Sequence, residues 1–306
     1  MPRVLFILKE DNIGLPARAK LSGGSWPEVE METISRLGCR ANVEFVRKVR
    51  PRPVLQVLFD FDGTLSLLRE GWPQIMLRVF LEALPSLADE EDGARAQAAA
   101  NDIAELTGAP TIDQMIRLAE RVSARGGVPH HPLAYKREYL RRLEDKIAPR
   151  KQSLRLGQQH CDAFVLPGTL NLLEGLKHRG LTLHLVSGTD ESSVLEESRL
   201  LSLAPYFGTR IQGARDGERA ASKQAVIARL LEDGKHTGEQ LLSFGDGYVE
   251  IERTKDVGGL AIGVASNEAE PGHLDVWKRN RLIRAGADIV IADYVDVEAL
   301  LCAVLR

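Results

Sequence analysis

Residues 54–65, Val-Leu-Gln-Val-Leu-Phe-Asp-Phe-Asp-Gly-Thr-Leu, run an apolar β-type segment directly into two carboxylates and a Gly-Thr turn. Side chains alternate along a strand, so Asp60 and Asp62 project to the same side and can share one metal ion and one substrate. Asp-x-Asp-Gly-Thr fixes four residues. At roughly 5% usage per residue type, about 0.002 matches are expected by chance in a chain of this length, so composition alone does not account for the pattern.

The pattern resembles the first motif of the haloacid dehalogenase (HAD) superfamily, a group dominated by Mg²⁺-dependent phosphatases. The resemblance covers roughly residues 53–306 and implies three further motifs, each of which has a counterpart here. The second is Leu183-His184-Leu185-Val186-Ser187-Gly188-Thr189, an apolar strand ending in a hydroxyl and a glycine. The third is Lys223, opening a helical run to Leu231, with Arg219 as the alternative basic residue. The fourth is Leu241-Leu242-Ser243-Phe244-Gly245-Asp246-Gly247-Tyr248-Val249-Glu250, a strand that again ends in acids.

A phosphate monoester resists attack because its oxygens are already negative. A catalyst must supply a nucleophile, neutralise charge and protonate the leaving alkoxide. Asp60 is the natural nucleophile, forming an aspartyl-phosphate that splits one hard step into two. The resemblance implies that Asp62 protonates the leaving oxygen and then activates water. It also implies a Mg²⁺ site built from Asp60, Asp246 and the backbone carbonyl of Asp62. Glu250 stands where family members more often carry Asp, and its longer side chain suggests a place behind the ligands, acting through water or Lys223. The plain alternative for Glu250 is a solvated helix face.

Ser187 and the Gly188 amide are expected to hold the phosphoryl oxygens, with Thr189 capping the next helix. Lys223 supplies a compact positive charge against the nucleophile. Arg69 and Trp72 are the candidates for contacting the leaving group, although Trp72 reads equally well as a hinge residue packed under the following helices. The basic run Lys136, Arg137, Arg141, Arg142, Lys146, Arg150, Lys151 and Arg155 is interspersed with Glu138, Glu144 and Asp145, and reads as a solvated helix face. His130-His131 reads as a surface loop.

The elements that must position these residues follow from periodicity. From Val54 onward strands at 54–60, 181–186, 209–213, 241–245, 260–265 and 288–292 alternate with helices at 168–179, 190–201, 222–232, 273–284 and 296–305. The expected fold class is α/β, a Rossmann-like parallel sheet with helices on both faces. Ligands of such sheets bind beyond the carboxyl ends of the strands, where Asp60, Ser187 and Asp246 would converge. Between Leu67 and Leu166 the pattern turns helical, with clear segments at 93–106, 111–125 and 131–147. It reads as an inserted all-helical cap, hinged near Gly71 and near Pro167-Gly168. Within it, Thr111-Ile112-Asp113-Gln114 reads as a capping box, and Gly126-Gly127 as a helix end. The expected domains are a core over 53–66 and 167–306 and a cap over 67–166. Residues 1–52 form an N-terminal extension with a strand candidate at 4–8, a Gly-Gly-Ser turn at 23–25 and a helix candidate at 27–37. That extension reads as an added strand-helix unit, a loosely ordered arm or an upstream start-codon artefact.

Composition bounds the rest. The chain has 306 residues, 44% of them hydrophobic, enough for one substantial α/β core and a smaller domain. A formal charge of −3 and a pI near 6.2 provide no general field for nucleic acid or an anionic membrane, so phosphate must be handled locally. Three separated cysteines, Cys39, Cys161 and Cys302, show no metal or redox spacing and read as reduced thiols. Residues 4–8 are too short for a signal core, and no run approaches the ~20 apolar residues that span a bilayer. The expectation is a cytoplasmic, Mg²⁺-dependent phosphatase of a small phosphorylated metabolite, with no nucleic-acid or membrane partner. Phosphomutase chemistry through the same aspartyl-phosphate is the alternative, and a non-catalytic binding module is disfavoured by the intact acidic and basic positions. A carboxylate at Asp62 argues against the related dehalogenase and phosphonate hydrolase chemistries.

Overall fold

In the computed structural model, residues 43–87, 90–91, 93–215, 223–234 and 236–306 are described. The strand at 4–8, the turn at 23–25, the helix at 27–37, Cys39 and Arg219 lie outside them. In chain order the elements begin with β1 (Val43–Phe45) and β2 (Gln56–Phe59). Four inserted helices follow: α1 (Trp72–Ala83), α2 (Ala94–Glu105), α3 (Thr111–Ala124) and α4 (Pro132–Arg155). The chain then continues through α5 (Thr169–His178), β3 (Thr182–Asp190), α6 (Glu191–Leu200), α7 (Ala204–Phe207), β4 (Ile211–Ala214) and α8 (Lys223–Gly234). It ends with β5 (Leu241–Gly245), α9 (Tyr248–Asp256), β6 (Leu260–Val264), α10 (Val276–Ala285), β7 (Ile289–Ile291) and α11 (Val297–Val304).

The strands form one seven-stranded sheet among the described residues, in the order β1-β7-β6-β5-β2-β3-β4. Every pairing is parallel except that of β1 with β7. Strands buried on both faces need apolar residues at consecutive positions, as Val57, Leu58 and Phe59 provide. Alternation sends them to opposite sides. Val57 and Phe59 join the large core with Leu172 and Leu176 of α5 and Leu300 and Leu301 of α11. Leu58 instead packs with Val226 and Ile227 of α8. The Rossmann-like α/β class is therefore observed, with helices on both faces. In register beside each other, Phe59 and Phe244 stack at 4.9 Å and 5°. Phe207 and Tyr294 meet this pair edge-on at 6.0 and 5.8 Å.

The expected boundary at residue 53 is corrected by β1. Residues 43–45 pair antiparallel with β7, and the backbone of Arg52 bonds to Val304 and Arg306, so residues 43–52 are joined to the core. β1 was illegible because a three-residue edge strand leaves no periodic signal. The described residues from Val43 onward belong to one compact unit.

Among the described residues of the insertion, α1 is an α-helix additional to the three clear segments. Trp72-Pro73 reads as a turn in sequence, yet proline is well suited to a first helical turn, and α1 begins there. α4 runs on to Arg155 through Pro149. These helices enclose their own core of Met76, Phe80, Met115, Leu118, Tyr139 and Leu143. The segments entering and leaving the insertion lie side by side, with Leu67 N–H bonded to the Phe164 carbonyl and Leu166 N–H to that of Leu65. The capping box at Thr111 does not form. Thr111 is already helical, Pro110 takes the cap position without a side-chain bond, and Gln114 is buried. The basic run of α4 is also not simply a solvated face. Lys136 pairs with Asp190 and Lys151 with Glu196, and both lysines are buried where the insertion meets the core. Arg141 and Arg142 do pair locally with Glu138, as expected of a helix surface.

Phe244 joins the aromatic stack to the motif strand, so Phe244→Ala should lower unfolding free energy by about 3–5 kcal/mol. Urea unfolding followed by circular dichroism measures this, and a loss under ~1 kcal/mol would show that the stack does not anchor the sheet.

Candidate active site

Asp60 follows β2 on the side of the sheet to which Leu58 points, and that side carries α8. The packing of Leu58 against Val226 and Ile227 therefore also brings Lys223, the first residue of α8, to Asp60. Lys223 Nζ lies 3.0 Å from Asp60 Oδ2 and 2.7 Å from Glu250 Oε2, and all three residues are buried. Burial raises the Asp60 carboxyl well above the usual carboxylate range, and the Lys223 ammonium opposes the rise. Burial also acts to lower Lys223, but its two carboxylate partners prevail and raise it.

Glu250 sits in the first turn of α9 with both oxygens engaged, since its Oε1 accepts the Gly247 N–H at 2.7 Å. Its length is used to reach Lys223. Asp246 stands at the end of β5, its N–H donating to the Thr64 hydroxyl at 3.0 Å. Its Oδ2 accepts from Lys278 at 2.8 Å, and Lys278 also holds Glu268 at 2.9 Å. Sequence reading missed Lys278, because a lysine thirty-two positions along in a charged helix carries no local signal.

The turn after Asp60 explains its glycine. Gly63 has φ +71°, and a Cβ there would stand 2.3 Å from Asp246 Oδ2. The Ser266 hydroxyl pins the Gly63 carbonyl at 2.6 Å, and Tyr294 donates to that of Thr64 at 3.0 Å.

Ligand oxygens of Asp60, Asp246 and Glu250 all lie within 4.8 Å of one another. With both Glu250 oxygens already taken, Asp60 and Asp246 are the carboxylates available to a hard divalent cation, which accepts one or two such groups. The donor set fits such a cation.

Asp62 turns away from this cluster. Its Oδ2 accepts from the Thr189 hydroxyl at 2.7 Å, while Oδ1 is buried without a hydrogen-bond partner, 3.7 Å from Arg69 Nε. Desolvation lifts the Asp62 carboxyl to about 6, against the pull of the Arg69 guanidinium. One expectation changes here. Thr189 lies in β3, where the pairing with β4 is irregular between Val186 and Asp190, and it steadies Asp62 instead of capping α6. Arg69 is held by Glu197 through two bonds of 2.9 and 2.7 Å and lines the same cavity as Asp62.

One cavity of about 60 Å³ joins Asp60, Asp62, Asp246, Ser187, Gly188 and Thr189 of the core to residues of the insertion, Trp72 among them. Trp72 lines the cavity and packs against the insertion's own core. Ser187 Oγ accepts the Thr189 N–H at 3.0 Å. The loop between α2 and α3 presses on the core. A Cβ on Gly188 would come within 2.8 Å of the Ala109 carbonyl oxygen, and one on Gly108 within 3.1 Å of Gly247 Cα. Arg281 of α10 secures this loop, donating to the carbonyls of Ala104, Glu105 and Thr107 at the end of α2 while resting on Tyr248 at 4.7 Å. His130 and His131 lie in an exposed loop, as expected, and Cys161 and Cys302 are free thiols. Among the described residues, no helix is long and apolar enough to cross a membrane.

Residues 54–258 match the model of the haloacid dehalogenase-like hydrolases, and the chain belongs to that family. No curated protein matches it in sequence. Among solved structures it is similar to a candidate β-phosphoglucomutase from Bacteroides vulgatus, at 18% identity over 84% of this chain and 92% of that one, with a TM-score of 0.55. A phosphoglycolate phosphatase, so designated by prediction, from Haemophilus somnus aligns at 14% identity over 83% and 98% of the two chains, with a TM-score of 0.53. A HAD family hydrolase from Deinococcus radiodurans with bound phosphate and sodium aligns at 18% identity over 82% and 96%, with a TM-score of 0.50. At these identities the likeness is one of fold.

Removing Glu250 would leave Lys223 with one partner and the Gly247 N–H with none. Glu250→Ala should cost about 3–5 kcal/mol of stability, and Glu250→Gln less, in denaturant titrations. Equal, small losses would show that the buried pair is not structural. Arg281→Ala should speed amide hydrogen exchange across residues 106–111 by about tenfold or more, a local loss of about 1.4 kcal/mol. Unchanged exchange would mean that the loop is held by its own packing.

Proposed function

We propose that this protein is a Mg²⁺-dependent phosphatase that hydrolyses a small phosphorylated metabolite through an aspartyl-phosphate on Asp60. The observation that carries this reading is the division of labour between the two carboxylates of the first motif. Asp60 is paired with a lysine beside the candidate metal ligands, whereas Asp62 shares the cavity with one oxygen fixed by Thr189 and the other unpartnered.

In the first step an Asp60 oxygen attacks phosphorus in line, the bond from phosphorus to the leaving oxygen breaks, and Asp62 gives that oxygen its proton. The unpartnered Oδ1 is the atom free to carry it. In the second step Asp62 takes a proton from water, and the resulting hydroxide attacks phosphorus. The Asp60–phosphorus bond then breaks, releasing phosphate and restoring both carboxyl groups. Asp60, Asp246 and the carbonyl of Asp62 would hold Mg²⁺, which supplies positive charge against the phosphoryl oxygens. Lys223 favours the ionised form of Asp60 and orients it, with Glu250 fixing Lys223 from behind. Ser187 and the Gly188 amide face the cavity where the remaining oxygens would lie. The helical insertion serves as a cap over 67–166, excluding bulk water and contacting the leaving group.

A metabolite screen with Mg²⁺ and with EDTA, following orthophosphate release, tests the assignment. Asp60→Asn should abolish turnover while the circular dichroism spectrum stays unchanged. Retention of more than a few per cent, with deamidation excluded, would remove Asp60 as nucleophile. Asp62→Asn should impair alkyl phosphates far more than p-nitrophenyl phosphate, whose leaving group needs little acid help. Conversion of a bisphosphate to an isomer without phosphate release would replace the phosphatase by a phosphomutase.

A further inference from the structure

The cavity carries two features that the hydrolytic chemistry does not use. Among the described residues lining it, Arg69 is the one cation, and its charge is consumed inside the protein. Glu197, fully buried, accepts from Arg69 Nε and Nη2, and Nη1 donates to the Thr189 hydroxyl at 3.3 Å. The second feature is Gln114, in the first turn of α3. It is buried, it lines the cavity, and its Oε1 has no hydrogen-bond partner. An orphaned buried acceptor costs about 1–3 kcal/mol, a cost that a donor from a ligand would relieve.

A hydroxyl group meets this need. A hydroxyl can give its proton to this oxygen, whereas an ionised carboxylate or second phosphate has none to give it and meets a guanidinium already paired with Glu197. From these two features we propose that Gln114, together with the Arg69–Glu197 pair, selects a short, neutral, hydroxylated leaving group. The substrate class is then the monophosphate of a small polyol or aldose, and esters bearing a second anionic group are disfavoured. The inference rests on the phosphatase reading and adds to it a reason for choosing among small esters. Trp72 and Tyr139, which also line the cavity, provide apolar surface against which a carbon chain can lie.

The test compares matched esters in the full-length protein with Mg²⁺: glycerol 3-phosphate, erythritol 4-phosphate and ribose 5-phosphate against 2-phosphoglycolate, 3-phosphoglycerate and ribose 1,5-bisphosphate. Acetyl phosphate serves as a reference that lacks both hydroxyl and second anion. The best neutral ester should exceed the best anionic one by about tenfold or more in kcat/KM. Gln114→Leu should lower the ratio of kcat/KM for that neutral ester to that for acetyl phosphate by a similar factor, chiefly through KM. Glu197→Gln, nearly isosteric, removes the carboxylate that holds Arg69 through two bonds, leaves only Asp62 beside the guanidinium, and should raise the relative kcat/KM for 2-phosphoglycolate. Calorimetric binding of glycerol 3-phosphate and 2-phosphoglycolate to the Asp60→Asn protein gives the same comparison without turnover, and tighter binding of the neutral ester is expected. Preference of the unmodified protein for the carboxylated or bisphosphorylated esters would overturn the proposal. So would a Gln114→Leu protein, folded by circular dichroism, whose ratio does not move. Failure to hydrolyse any ester, acetyl phosphate included, would instead defeat the phosphatase reading, leaving the calorimetric comparison to decide the role of Gln114.

Discussion

The constraint on which this structure turns is the crowding of carboxylates at the carboxyl ends of the central strands. Asp60, Asp62 and Asp246 line one cavity, and Glu250, Glu197 and Glu268 share cations with them. Two like charges 4 Å apart at the polarity of a protein surface repel by about 4 kcal/mol. The fold meets this repulsion by drawing cations from distant segments. Lys223 stands between Asp60 and Glu250, Lys278 between Asp246 and Glu268, and Arg69 between Glu197 and Asp62. Each cation arrives on a different element, so the site exists only when α8, α10 and the segment leading into α1 are all docked.

That distribution separates two carboxylates of identical type. Asp60 and Asp62 are two residues apart on neighbouring backbone, yet one is clamped by a lysine and the other keeps a free oxygen near a neutralised arginine. Environment, not residue identity, makes them chemically different. Buried ion pairs contribute little net stability compared with apolar packing, and the aromatic stack of Phe59, Phe244, Phe207 and Tyr294 supplies the rigidity directly beneath the acids.

The helical insertion extends the same logic to selectivity. Its docking surface is built from backbone, with Gly108 against Gly247 and Ala109 against Gly188, and Arg281 gripping the carbonyls that end α2. Close backbone approach leaves little space above the acids, and the side chains around that space limit what can enter it.

Local order was written plainly in the sequence. The apolar run from Val54, the strand-to-turn placement of Asp60 and Asp62, the strands ending at Ser187 and Asp246, and Lys223 opening a helix all depend on residues within one element, where alternation and capping act over a few positions. The expectation that Glu250 works through Lys223 also agrees with the observed contact, because side-chain length limits what it can reach. What the sequence could not contain were partners separated by long stretches of chain. Arg69 with Glu197, Lys278 with Asp246, Thr189 with Asp62, and the edge strand Val43–Phe45 on β7 are contacts across 128, 32, 127 and more than 240 positions. Gln114 shows the difference most directly. By sequence it completes a capping box with Thr111, a local bond of modest energy. In the folded protein, packing of α3 turns it inward and leaves its oxygen unpaired in the cavity, because burial is decided by the surfaces that helices share and not by the residues next in line.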